Sequence, residues 1–217
     1  MRHLLLVLIL AVSALGQDAD WKVGLNFRGT AGYVTDGSDE TYCLGETAST
    51  ERKTANGNSI TFQWSGALSY ALDRNAGYDQ RIAGVNLQIN STPRTLTITL
   101  PQAGTYLVRL AVGDFEYDRG YQYVQILDDG TPKLTVADGG GISHYYFDDA
   151  TGTEYSYLTW PAGNTAVSVD FATTTFQMVI GLATEADYTS VAHLYLEYVA
   201  APPAGGTPMR RIIPMGD

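Results

Sequence analysis

From Arg81 to Asp129 the chain alternates apolar and polar residues with a period of two. Ala83, Val85, Leu87 and Ile89 fall on one side, as do Leu96, Ile98 and Leu100, and then Tyr106, Val108, Leu110 and Val112. Side chains change face at each step along a strand, so such runs predict half-buried antiparallel strands. Ser-Thr-Pro at 91–93, Pro-Gln-Ala-Gly at 101–104 and Asp-Asp-Gly at 128–130 supply the turns between them. The same alternation recurs in Trp21, Val23, Leu25 and Phe27, in Ile60, Phe62 and Trp64, and in Val167, Val169 and Phe171. It closes with Phe176, Met178, Ile180 and Leu182, and with Leu194, Leu196 and Tyr198. Residues 29–57 are rich in Gly, Thr, Ser and Asp and predict mostly loop. Roughly nine to eleven short strands with no convincing helix predict an all-β fold of two packed antiparallel sheets.

The ends of the chain differ from this middle. Arg2 and His3 precede an apolar run from Leu4 to Leu15, and Ala14 and Gly16 place small residues before a cut between Gly16 and Gln17. This reads as a secretory signal, because about twelve apolar residues fall short of the roughly twenty that a spanning helix needs. Residues 17–200 then form one β domain, exported to the periplasm or the exterior. After Ala200, APPAGGTP reads as a linker and MRRIIPMGD as a flexible tail, or as a docking peptide for a protein partner anchored by Ile212 and Ile213.

Composition narrows the partners. Of 217 residues, 23 are Asp or Glu and 13 are Lys or Arg, a net charge of −10 that repels phosphate backbones and disfavours nucleic acid. No second segment is apolar enough to span a membrane. Cys43 is the only cysteine, so no internal disulfide forms, and a small buried apolar role is expected of it.

The residues also resemble a family. The opening strand ends Asn26-Phe27-Arg28-Gly29, a Gly/Asp/Tyr loop follows, and PQAGTYLVRLAVGD is similar to a core strand reading G-x-Y-x-V-x-L-x-x-G-D. FQMVIGLATEADYTSVAHLYLEYV is similar to a closing pair whose last strand returns beside the first. Over about residues 20–200 the chain resembles the galactose-binding-like jelly roll, in particular the malectin-like and carbohydrate-binding modules of bacterial polysaccharide-active enzymes. The resemblance implies a jelly-roll sandwich, binding without catalysis, and for Asp114 a structural role at a turn.

Catalytic signatures are lacking: no G-x-S-x-G elbow, phosphate loop or dinucleotide fingerprint occurs. His144 and His193 have no partner at metal-ligand spacing. The loop from Asp114 to Tyr121 concentrates acidic and aromatic groups, which accept hydrogen bonds from sugar hydroxyls and stack on pyranose faces. Glu116, Tyr117, Asp118 and Tyr121 are its candidate ligand contacts, joined by Tyr146 and Trp160 from an aromatic hairpin spanning Asp148–Thr153; core packing of the same rings is the alternative. Trp21 and Trp64 lie in phase with core positions. Asp36 and Asp39 supply oxygens suited to a structural Ca²⁺, or belong to a plain acidic turn. The sequence therefore predicts a secreted, non-catalytic module recognising carbohydrate or glycoconjugate. A structural or adhesive component of a cell-surface or virion assembly is the alternative, and a carboxylate-dependent glycan hydrolase the third reading.

Overall fold

The computed structural model describes residues 20–31, 39–74, 79–114, 116–117, 119–138, 145–148, 153–156, 166–200 and 210–212; for 138, 145–148, 153–156 and 210–212 it describes the backbone alone. These residues form sixteen strands and a single 3-10 turn, Gln80–Ile82. The strands are β1 (Lys22–Phe27), β2 (Glu40–Cys43), β3 (Thr50–Lys53), β4 (Ser59–Trp64), β5 (Tyr70–Asp73), β6 (Gly84–Ile89), β7 (Arg94–Thr99) and β8 (Gly104–Val112). There follow β9 (Gln122–Asp128), β10 (Thr131–Asp138), β11 (Tyr145–Asp148), β12 (Thr153–Ser156), β13 (Val167–Phe171), β14 (Thr175–Ile180), β15 (Tyr188–Ala200) and β16 (Arg210–Ile212).

Two seven-stranded sheets face each other. Sheet A runs β13-β8-β15-β1-β2, with β6 pairing β15 beyond the end of β1 and β5 pairing β6. Sheet B runs β16-β10-β9-β14-β7-β4-β3. From β6 to β9, and again from β13 to β15, successive strands cross from one layer to the other, which is the weave of a jelly roll. Long β15 is the spine of sheet A, and it lies antiparallel to β1 as the family resemblance implies. Two pairings, β1 with β2 and β10 with β16, are parallel, so the sheets are antiparallel in the main rather than throughout. The hairpin expected across Asp148–Thr153 forms, with Asp148 opposite Thr153.

The alternating residues meet between the layers. Leu25, Phe62, Leu96, Ile98, Tyr106, Val108, Ile126, Met178 and Leu194 are all buried in one cluster, and Trp21 and Trp64 join it. Aromatic contacts tie the sheets together: Phe171 on sheet A stacks on Phe176 of sheet B at 4.5 Å, and Phe27 meets Trp64 at 6.3 Å. Cys43 is fully buried, and its Sγ donates to Asn86 Oδ1 at 3.7 Å.

The structure corrects the sequence reading in two places. The described part of residues 29–57 is mostly loop as expected, but it also holds two short strands, β2 and β3, that were not expected, and neither was β5. These strands are short and carry little apolar signal; β3 is the edge strand Thr-Glu-Arg-Lys. Val85 and Leu87 do alternate as expected, but they face away from the main core. With Ile82, Ala111 and Ala192 they form a second small cluster on the far side of sheet A. On the opposite face of β6, Asn86 is fully buried and donates to Arg28 O at 3.2 Å.

Candidate functional site

The site grows from the end of β8. Gly113 takes a positive φ of 117° and donates to Ser190 O, which turns the chain so that Asp114 enters the protein. The Asp114 side chain has no exposure, and a buried carboxylate needs charged partners. Two arginines supply them. Arg74, just after β5, donates from Nε to Asp114 Oδ1 at 2.9 Å and from Nη2 to Oδ2. Arg119 donates from Nε and Nη2 to the same Oδ2 at 2.9 and 2.7 Å. Asp114 Oδ1 also accepts the Glu116 N–H, and its carbonyl accepts the Tyr117 N–H, so the carboxylate organises the loop that follows it.

Tyr117 lies on this cluster. Its ring centroid is 5.0 Å from Arg74 Cζ and 4.8 Å from Arg119 Cζ, while 52% of the residue is exposed. Paired guanidiniums beneath an aromatic ring hold it by cation–π attraction and leave the rest of the ring to solvent. Glu116 Oε2 stands 3.8 Å from Arg74 Nη1 at the edge of the same cluster.

An open cleft of about 490 Å³ shares Arg119 with this cluster and is lined also by Gly120, Asp187 and Tyr188. Gly120 has φ +69°, and a Cβ there would run into the Asp187 carboxylate, so glycine is required for the two segments to meet. Tyr188 donates its N–H to Arg119 O at 3.2 Å, and Tyr121 donates its N–H to Asp187 Oδ2 at 3.4 Å. Gln122 ties the floor by donating to Tyr188 O at 2.7 Å. Beyond Tyr188 lies Tyr70, also 52% exposed, with ring centroids 6.3 Å apart. The cleft thus holds one cation, one carboxylate and Tyr188, with Tyr117 joined to it through Arg119 and Tyr70 through Tyr188.

Of the residues singled out in the sequence, Glu116 and Tyr117 sit at this rim, and Tyr121 contributes its backbone to it. Asp118, Trp160 and Asp36 lie outside the described residues, and Tyr146 is described in backbone only, on β11. Asp39 is occupied by Lys22 Nζ at 3.1 Å and Asn56 Nδ2 at 2.7 Å. Among the described residues no group of three or more His, Cys, Asp and Glu is arranged to hold a metal. Arg74, Asp187, Tyr188 and Tyr70 carried no sequence signal, because the fold alone brings them beside the loop.

The other buried carboxylates are committed to structure. Glu40 takes the place that a side chain on Gly24 would fill, accepts Asn26 Nδ2 at 2.9 Å, and lies 3.0 Å from His193 Nε2. Burial pushes the Glu40 carboxyl up, but the neighbouring His193, Arg81 and Asn26 outweigh it and hold the group below its ordinary range. Asp128 accepts Thr173 Oγ1 and the Ala172 N–H, both at 2.6 Å.

No known protein family matches the chain, and no curated protein matches it. Among solved structures it is similar to the CBM36-1 domain of a multidomain xylanase from the hindgut metagenome of Trinervitermes trinervoides. That likeness has 11% identity and a TM-score of 0.31, covering 69% of this chain and 99% of that one. It is also similar to the Agl-KA catalytic domain, with 15% identity and a TM-score of 0.30, covering 69% of this chain and 26% of that one. Likenesses this slight transfer no ligand, and the account of the site rests on its own geometry.

Proposed function

We propose that this chain is a non-catalytic carbohydrate-binding module that acts after export and holds its glycan at the Tyr117–Tyr188 rim. The observation that carries the reading is the exposed Tyr117 ring, held over two guanidiniums that share one buried carboxylate. An aromatic face fixed in this way meets a pyranose without first losing side-chain freedom. Arg119 and Asp187 in the adjoining cleft supply a donor and an acceptor for sugar hydroxyls, and Tyr188 and Tyr70 extend the stacking surface. Binding rather than hydrolysis fits the carboxylates, since Asp114, Glu40 and Asp128 are each spent on internal partners. A structural Ca²⁺ at Asp36 and Asp39 would belong to a separate loop.

A panel of soluble oligosaccharides tests the reading by tyrosine fluorescence and calorimetry. At least one should bind, and Tyr117→Ala and Tyr188→Ala should each weaken it about tenfold or more, as expected for the loss of one stacked ring. Binding that is indifferent to both substitutions would refute the rim assignment.

A further inference from the structure

Sheet B ends in two unlike edges. At one end β3 sets Glu51 and Lys53 in solvent, and charges on an outermost strand discourage a further strand from pairing with it. At the other end β10 is guarded in its first part alone. Pro132 has no N–H to offer, Lys133 follows it, and the register shifts between Pro132 and Leu134. From there Leu134, Thr135, Val136 and Ala137 are uncharged and buried, up to Asp138 at the strand end. β16 lies parallel on this unguarded stretch, with Arg210 beside Leu134, Arg211 beside Thr135 and Ile212 beside Val136. The edge that carries no guarding residue is therefore the one that the C-terminal tail takes.

That hold is shallow. β16 is three residues long, so it makes few backbone hydrogen bonds, and each gains little net because water served the same groups beforehand. Nine residues, APPAGGTPM, join β15 to β16, and Pro202, Pro203 and Pro208 each lack the N–H that a strand ladder needs. A short strand at the end of such a linker makes the same contacts with the β10 of a second copy as with its own. Concentration decides between the two, because the linker sets the effective concentration at which the tail meets its own edge. Charge brings tail and body together: Arg210 and Arg211 against Asp217 make residues 201–217 net positive in a chain of net charge −10.

We infer that the β10 edge at Leu134–Val136 is a docking site for a C-terminal strand, and that a second copy of this chain supplies that strand by exchange. The site shares no residue with the Tyr117–Tyr188 rim, and a reciprocal pair carries two rims. Sedimentation of the full chain over a wide range of concentration tests it. The wild type should pass from monomer to dimer as concentration rises. Arg211→Pro with Ile212→Pro, which takes N–H groups out of β16, should raise the dimer dissociation constant about tenfold or more. Thr135→Cys and Arg211→Cys, placed on separate full-length chains, mixed and oxidised, should give a disulfide-linked heterodimer. Its yield should clearly exceed that from Glu51→Cys mixed with Arg211→Cys, since 135 and 211 are neighbours in register and 51 lies on the far edge. Cys43 is buried and takes no part. Oligosaccharide binding at the rim should be unchanged in the proline variant, so failure of either reading leaves the other standing. A wild type that stays monomeric at every concentration would overturn the inference, as would a dimer indifferent to both prolines. A chain carrying both Thr135→Cys and Arg211→Cys that closes on itself, while the mixed single variants give no excess of heterodimer, would confine the tail to its own edge and overturn the exchange. An excess with Glu51→Cys instead would overturn the β10 dock in favour of β3.

Discussion

Asp114→Asn isolates the ion cluster on which the rim is built. Asparagine keeps the shape but removes the charge, leaving two guanidiniums with only the partly exposed Glu116 carboxylate, 3.8 Å from Arg74 Nη1, as a counter-charge. Asp114 is fully buried and the Arg74 side chain is 7% exposed, whereas Arg119 retains 21%. Breaking a buried pair costs about 3–5 kcal/mol, and the partial exposure of Arg119 places this change near the lower end, about 3 kcal/mol. For a domain of this size each kcal/mol moves the melting temperature by about 2–4 °C, so Asp114→Asn should melt about 6–12 °C below the wild type. Tyr117→Ala removes an exposed ring and should cost about 1 kcal/mol or less, yet both variants should lose the rim ligand. Thermal denaturation with glycan titration below the melting range reads both effects. If Asp114→Asn melts within about 2 °C of wild type, the shared carboxylate does not hold the cluster together.

The remaining expectations concern buried groups. Glu40 has a lowered folded pKa, so its ionised form adds stability that is complete above the unfolded value of about 4.3 and is lost as pH falls through the folded one. Denaturant titrations between pH 3 and 7 should therefore show a shallower acid loss for Glu40→Gln, which is also less stable at neutral pH; an acid limb as steep as that of wild type would contradict the His193–Glu40 pairing. Burial pushes the Cys43 thiol well up, so a thiol reagent should react with it only as fast as the protein unfolds, and prompt reaction in the native state would show an open site. Asn90-Ser91-Thr92 spells a glycosylation sequon, yet Asn90 is fully buried, donates to Tyr121 O at 2.8 Å and accepts Thr189 Oγ1 at 2.6 Å. Mass spectrometry of protein secreted from a eukaryotic host should find Asn90 bare, and a glycan there would mean that this corner is not closed.

The strands with a clear period of two were legible because burial on one side imposes it, as at Leu96-x-Ile98 and Phe176-x-Met178. β2 escaped because its burial rests on polar chemistry: Glu40 is buried against Asn26 and His193, so its pattern does not alternate in hydropathy. Alternation also assigns residues to a face without saying which way the sheet turns that face. Val85 and Leu87 therefore read as main core although they close a separate cluster with Ile82. At the site, acidic and aromatic residue types exposed the 114–121 loop, since so dense a mixture is rare. Its partners were invisible because contact arises only on folding: Arg74 reaches Asp114 across 40 residues, and Tyr121 reaches Asp187 across 66.

Tyrosine-ring NMR on selectively labelled protein tests the rim most directly. Adding a binding oligosaccharide should move the ring resonances of Tyr117 and Tyr188 and weaken their contact with water, while core Tyr106, which has no exposure, stays in place. Saturated binding with the Tyr117 and Tyr188 rings unmoved would contradict the account.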